Sequence, residues 1–350
     1  MLGSLSSSLR PEVFPAKVQV LLTCGRYLLR LLTFCLMLAP VAFVPSTIAQ
    51  QTTKVPTVGV VTSVTGGPLL EAFKRGMREH GYVEGRNVAF HYRSAGGNPD
   101  RFASHIAELL DLKIDVLVVP NNLGAFAAKR ATSTVPIIVI SAHDAVGTGL
   151  VASMARPGGN VTGTESLAAE LDAKRVELLK DIVPSLSRLA VIYNPADPAM
   201  QSHVRYAEAA AARLGIKVQR LEVRRPADFD GAFKAALAER ADALMPFTET
   251  LVFSEIMRII DFAAQYRVPT MYEFSAFVER GGLIGYGPSL PDLFRRSAFY
   301  VDKIIKGAKP ADLPIGQPER FELAVNARTA KAMALAIPPG IRVRADTIIE

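Results

Sequence analysis

The sequence predicts an α/β protein: two parallel-sheet α/β lobes joined by several crossovers, with a ligand cleft between them. Three observations carry that reading. At 350 residues the chain is longer than one hydrophobic core ordinarily organises. Short β-branched runs alternate with segments of helical period, as parallel sheets with right-handed crossovers require. The second half also repeats the first. Glu79-His80-Gly81-Tyr82 answers Ala212-Arg213-Leu214-Gly215-Ile216, and Lys113-Ile114-Asp115-Val116-Leu117 answers Glu239-Arg240-Ala241-Asp242-Ala243-Leu244. Thr134-Val135-Pro136-Ile137 answers Arg267-Val268-Pro269-Thr270, and the three offsets are 134, 127 and 133 residues. One larger doubly wound domain would not need this duplication.

In order, Val58–Val61 reads as a first strand, followed by Gly66-Gly67-Pro68 with the proline suited to a helix's first turn. Leu69, Phe73, Gly76 and Met77 keep the spacing of one helix face, and Gly81 ends it. Val88–Tyr92 is a strand, Arg101–Leu110 a helix, Asp115–Val119 a strand and Ala125–Ala131 a short helix. Ile137–Ile140 is an unbroken β-branched run, suited to a strand covered on both faces. It delivers Ser141-Ala142-His143-Asp144 at its carboxyl end, where open α/β sheets bind ligands. A short helical piece is expected next, then the turn Arg156-Pro157-Gly158-Gly159-Asn160, then a crossing into the second lobe near Gly163.

The second half reads as helix Ala173–Ile182, strand Arg188–Tyr193, helix Val204–Leu214, strand Lys217–Val223 and helix Phe229–Ala238. Strand Ala243–Met245, one long helix Leu251–Gln265 and strand Val268–Tyr272 follow. The tail holds a helix Asp292–Ile305, an extended run with Pro310, Pro314 and Pro318, a strand Phe321–Asn326 and a helix Thr329–Leu335. A tail of that length can visit both lobes. The expected division is a leader 1–49, a first lobe of 56–163 plus 286–318, and a second of 164–285 plus 319–350.

Composition excludes several classes. A chain with 49% hydrophobic and 21% charged residues is a folded globular protein. Of the net charge of +7, the first 49 residues contribute +3. The weak remainder forms no basic stripe interleaved with aromatics, so nucleic acid is not an expected partner. Basic residues precede Leu31–Val44, an apolar run too short to span a bilayer and interrupted by Pro40. Thr47-Ile48-Ala49 then offers the small residues a signal peptidase reads, so cleavage before Gln50 and export to the periplasm are expected. Both cysteines, Cys24 and Cys35, lie in this leader, which suits an oxidising compartment.

Polar residues at expected strand ends are the candidate ligand contacts: Ser63, Thr65, Asn121, Asn122, Ser141 and Asp144 from the first half. The second half offers Asn194, Thr248, Tyr272, Glu273 and Tyr286, with Glu249 also at a strand end. Helix starts at Gly67-Pro68 and near Gly124 would aim N–H groups at an anion. Asp144 or Glu273 would pair with a cation, Asp144 reaching further, while Tyr272, Phe274 or Tyr286 would stack on an apolar body. The same Asn and Asp residues could equally cap helices and shape turns. Catalysis is not indicated. The histidines His80, His91, His105, His143 and His203 show no metal-ligand spacing, and there is no G-x-S-x-G, P-loop or G-x-G-x-x-G. No cofactor is expected.

Two stretches, Gly81-Tyr82-Val83-Glu84-Gly85-Arg86-Asn87-Val88 and Arg156-Pro157-Gly158-Gly159-Asn160-Val161-Thr162-Gly163, resemble the substrate-binding proteins of ABC transporters, the subgroup that includes tryptophan-binding proteins. Ala173–Leu179, Gly282–Gly287 and Lys306–Pro314 fit the same pattern, so the resemblance covers residues 56–350. It implies a type I periplasmic-binding fold and a receptor that closes on a small solute, an amino acid or related amine-bearing molecule. Its implied partners are ABC permease transmembrane subunits with a cytoplasmic ATPase, and the receptor itself is expected to be a monomer. A sensing subunit for a membrane signalling protein and a secreted α/β enzyme are the alternatives. Pro120-Asn121-Asn122 and Phe247-Thr248-Glu249 depart from the family pattern at strand ends, and the chain lacks the lipid-anchor cysteine of many relatives.

Overall fold

The computed structural model describes residues 54–350, and the expected leader and its cleavage site lie outside them. The first sheet orders its strands β2-β1-β3-β4-β5, all parallel, from β1 (Thr57–Thr62), β2 (Ala89–Ser94), β3 (Val116–Val119), β4 (Ile137–Ala142) and β5 (Val161–Glu165). Every residue of β3 and β4 is buried, as their β-branched runs demand, whereas the edge strand β2 is half-buried throughout. Helices α1 (Pro68–Glu79), α2 (Arg101–Asp111) and α3 (Asn122–Ala131) make the crossovers.

After β5 the chain leaves this sheet through α4 (Ala168–Ile182) and builds the second unit. Strands β6 (Arg188–Tyr193), β7 (Lys217–Glu222) and β8 (Ala243–Pro246) form a parallel β7-β6-β8 sheet. Strands β9 (Met271–Tyr272), β10 (Ile284–Pro288), β11 (Phe321–Asn326) and β12 (Thr347–Ile349) form another, in the order β12-β11-β10-β9, with β10 and β11 antiparallel. A bridge between Leu244 and Thr270 joins the two. The run β7-β6-β8-β9-β10 therefore repeats the order of β2-β1-β3-β4-β5, the structural counterpart of the sequence repeat. Helices α5 (Met200–Arg213), α6 (Asp228–Ala238), α7 (Thr250–Ser254), α8 (Ile256–Tyr266) and α9 (Ser275–Glu279) connect these strands.

Helix α10 (Leu290–Ile305) returns to the first sheet and packs on α1, β4 and β5. The approach is close: a Cβ on Gly76 would collide with the Arg295 carbonyl oxygen. The chain then runs along β5, where Gly316 bridges Thr164, before re-entering the second unit at β11. Helices α11 (Ala327–Ala332) and α12 (Pro339–Arg344) complete the chain. It thus passes between the units near residues 166, 289 and 317–320.

Three local expectations differ from what forms. No helix follows His143; residues 143–152 are turns and bends, because Asp144 adopts a positive φ of 47° and its backbone and side-chain oxygens hold Thr148 and Gly147. The expected long helix breaks at Glu255 into α7 and α8. The crossing falls after Glu165, not at Gly163, which stays within β5. Gly163 has φ 137°, and a Cβ there would collide with the Val139 carbonyl oxygen of the neighbouring strand. Gly163→Ala is therefore expected to lower unfolding stability by at least about 2 kcal/mol, read as a reduced urea midpoint at unchanged slope.

Candidate functional site

The carboxyl ends of β1, β3 and β4 face those of β8 and β9 across a cavity. It is a concave pocket that opens partly to solvent. The apolar part of the wall is Val64, Leu69 and Leu70 from β1–α1, Pro120 after β3, Phe253 from α7, Phe274 after β9, and Leu290 and Phe294 from α10. Ser63, Asn121, Ser141, His143, Thr248 and Glu249 supply the polar part. The Ser141 hydroxyl is buried with no hydrogen-bond partner in the protein.

Around this cavity the two units are hydrogen-bonded to each other. Asn121 Nδ2 donates to Thr250 Oγ1 at 2.7 Å, and the Ser63 hydroxyl lies 3.2 Å from the same oxygen. Asn121 Oδ1 meanwhile caps α3 by accepting from Gly124 N. The Ser202 hydroxyl on α5 donates to Asp144 at 2.5 Å.

Glu249 is buried and caps α7, accepting from Leu251 N and Val252 N at 2.9 Å each. The Asn194 side chain is a further hydrogen-bond donor to it, which leaves one of its four lone-pair directions open. Burial dominates its titration and lifts the carboxyl to about 7, against the two backbone donors that favour the charged form.

Beneath the polar wall lies a chain of buried titratable groups. His143 stands 3.0 Å (Nδ1) from His203 Nε2, and His203 Nδ1 stands 2.6 Å from Asp172. On its other side His143 Nε2 lies 3.4 Å from Glu273, neither of whose oxygens has a hydrogen bond of good geometry. Arg175 donates to Asp172 at 2.7 Å and to the Tyr286 carbonyl at 2.7 Å. Burial and the neighbouring His203 push the His143 imidazole well below its usual range. His203 is raised on balance: burial opposes its charge, but Asp172 outweighs it. Burial raises Glu273.

Of the sequence candidates, the structure brings Ser63, Asn121, Ser141 and Thr248 to the cavity wall. Thr65 is exposed on the approach to α1. Asn122 is buried and holds the His143 backbone through both its N–H and its carbonyl, at 2.8 and 2.7 Å. Asn194 caps its own turn through Ala196 N. Asp144 is occupied by Gly147 N and Ser202 and is not part of the wall. Tyr272 is a core residue packed on Phe277, Glu273 belongs to the histidine chain, and Tyr286 packs near Phe321. Sequence reading weighed Glu249 and His143 and passed over Asp172, Arg175, His203 and Thr250. The signal for His203 was its spacing to Ala207, Ala210 and Ala211 on the buried face of α5.

Comparison with known proteins gives a consistent answer. A family model described as ABC transporter substrate binding protein matches residues 57–349. A tyrosine-binding protein of Clostridioides difficile is 24% identical over 277 residues, spanning 78% of this chain and 79% of that protein. A conserved domain protein of Vibrio cholerae superposes with TM-score 0.77 at 30% identity, over 84% of this chain and 100% of the other. A Streptococcus pneumoniae ABC domain in complex with L-Trp superposes with TM-score 0.78 at 23% identity, over 84% and 99%.

Raised by burial, Glu249 contributes stability in full below the ordinary glutamate range and loses it as pH rises through about 7. Glu249→Gln keeps one cap acceptor and removes the titration. The wild type is thus expected to lose stability relative to this variant between pH 5 and pH 8, measured by urea unfolding at each pH.

Proposed function

The chain belongs to the ABC transporter substrate-binding protein family, and from that premise we propose a periplasmic receptor for an amino acid with a large apolar side chain. It closes two lobes on the solute and delivers it to permease subunits driven by a cytoplasmic ATPase. The observation that carries this reading is the composition of the cavity wall. Eight apolar side chains line it, together with hydroxyls, an amide, an imidazole and a single carboxylate. A zwitterion with an aromatic or long aliphatic body uses both kinds of group. The tyrosine and tryptophan of the two relatives' descriptions have that form.

Within this reading Glu249, not Asp144 or Glu273, takes the solute's ammonium. It lines the cavity, whereas Asp144 lies off the wall and is held by Ser202 and Gly147. The ammonium restores the charge that burial disfavours. The solute's carboxylate meets the Ser141 hydroxyl and the start of α1. Closure follows because these contacts come from both lobes at once. The chain acts as a binder and not an enzyme, exported by its leader, cleaved before Gln50, free of the membrane and monomeric. In support, no helix among the described residues is long and apolar enough to cross a membrane.

A calorimetric screen of the twenty amino acids and their deaminated analogues at pH 7.5 tests the proposal. Tyrosine, tryptophan, phenylalanine or leucine should bind, and 3-phenylpropionate should not. Glu249→Gln should weaken the tightest of them ten- to a hundredfold, the value of about 1.5–3 kcal/mol for a charge-assisted bond. Tight binding of a dicarboxylate or a neutral sugar instead would sink the assignment.

A further inference from the structure

The Glu273–His143–His203–Asp172 chain joins the lobes through two hydrogen bonds of the His203 ring and a 3.4 Å contact between His143 and Glu273, and counting protons fixes their directions. Asp172 is an acceptor, held by Arg175, so His203 Nδ1 must carry a proton. Between the rings, at 3.0 Å, only one of His203 Nε2 and His143 Nδ1 can carry a proton. If it sits on His143, then His143 Nε2 is bare and Glu273 must be protonated to donate to it. If it sits on His203, that ring is charged, and His143 Nε2 donates to an ionised Glu273. The two arrangements contain the same number of protons. One proton more is taken by Glu273, whose other oxygen still accepts from His143 Nε2; a second makes both rings cationic and sets two N–H groups against each other between them. One fewer sets the bare His143 Nε2 against the Glu273 carboxylate, 3.4 Å away.

His143 follows β4 of the first sheet, and its three partners in the chain lie on α4, on α5 and after β9 of the second. We propose that these four residues form a proton-counting latch, which holds the lobes together only while one proton lies between the rings and at least one lies between His143 Nε2 and Glu273. The inference rests on the receptor reading and adds to it a bounded pH range for solute retention, since His143 also lines the cavity. The other charged groups around the latch are few. Arg175 pairs with Asp172 and also favours the charged form of Glu273 and disfavours that of both imidazoles, Asp197 ahead of α5 acts on His203, and Glu249 acts on Asp197. Asp144, next to His143, is tied to Ser202.

The signs agree with the geometry. His143 is depressed in the closed form, so its contribution is present above the ordinary histidine value of about 6.5 and is lost as pH falls. Glu273 and His203 are raised, so theirs is lost as pH rises, and because they share the proton it is lost in one coupled step. Each limb changes the closing equilibrium by at most about tenfold per pH unit.

The test is the radius of gyration of the solute-free full chain by small-angle scattering from pH 4.5 to 9.5, with folding checked by far-UV dichroism. The wild type should be most compact at intermediate pH and expand on both sides. Glu273→Gln supplies an N–H to His143 at any pH, so it should lose the alkaline expansion and keep the acid one. His143→Gln accepts from charged His203, so it should lose the acid expansion instead. A merely structural role would not move the two limbs in opposite directions. A flat wild-type profile, compact or open, overturns the latch, as do variant profiles that match the wild type. Calorimetry with L-tyrosine, L-tryptophan and L-leucine at pH 7.5 separates the two readings. A bell-shaped profile without binding sinks the receptor assignment alone, and binding with a flat profile sinks the latch alone.

Discussion

Everything at the cleft follows from the cost of taking polar strand ends out of water. Two sheets with the same strand order present their carboxyl ends to one another, and those ends carry hydroxyls, amides, imidazoles and carboxylates. When the lobes meet, each such group must find a partner across the gap or stay unpaired at a cost of about 1–3 kcal/mol. The Thr250 hydroxyl serves both Asn121 and Ser63, and Ser202 serves Asp144. Ser141 finds none, and this is what marks its surroundings as a place for another molecule. Pairing across the gap and the unpaired remainder are thus two results of one constraint.

Much of the fold was legible because it depends on local pattern. The unbroken Ile137–Ile140 run could only be a strand buried on both faces, and the offsets near 133 residues gave two copies of one unit. The site was legible to the extent that it sits at strand ends, which is why Ser63, Asn121, Ser141 and Thr248 were found. What escaped lies on helix first turns. Helix α5 begins at Met200, four residues before its apolar periodicity is evident, so His203 fell outside the expected helix. Helix α4 likewise begins at Ala168, which takes in Asp172. Charged residues on such turns look like a solvated face, and only the opposite lobe makes them interior. The return of α10 to α1 was equally hidden, because a helix face does not name its partner.

The acidic residues show how a single type divides among tasks by environment. Asp144 sits in a turn of its own making, held by a backbone N–H and a hydroxyl, and lies off the cavity wall. Glu273 is buried deeper and faces an imidazole. Glu249 is held by two backbone N–H groups at the start of a one-turn helix, which fixes its direction without exhausting its acceptors. From sequence all three were strand-end carboxylates, and Asp144 was the one expected to reach furthest toward a cation. Their distinction comes from which donors the folded backbone places within reach.

A buried cluster of Asp172, Arg175, His203 and Glu273 is not an economical way to gain stability. Removing such ions from water costs several kcal/mol each, and a well-packed apolar interface is often as stable or more so. An apolar interface, however, closes regardless of conditions. A receptor has to release what it holds, and tight unconditional closure would defeat that. Ionic and imidazole contacts that nearly balance their own desolvation leave the open and closed forms within reach of each other. The solute's contacts and the proton count then decide between them. Placing the cluster next to the cavity, with His143 common to both, makes those two influences act on the same few atoms.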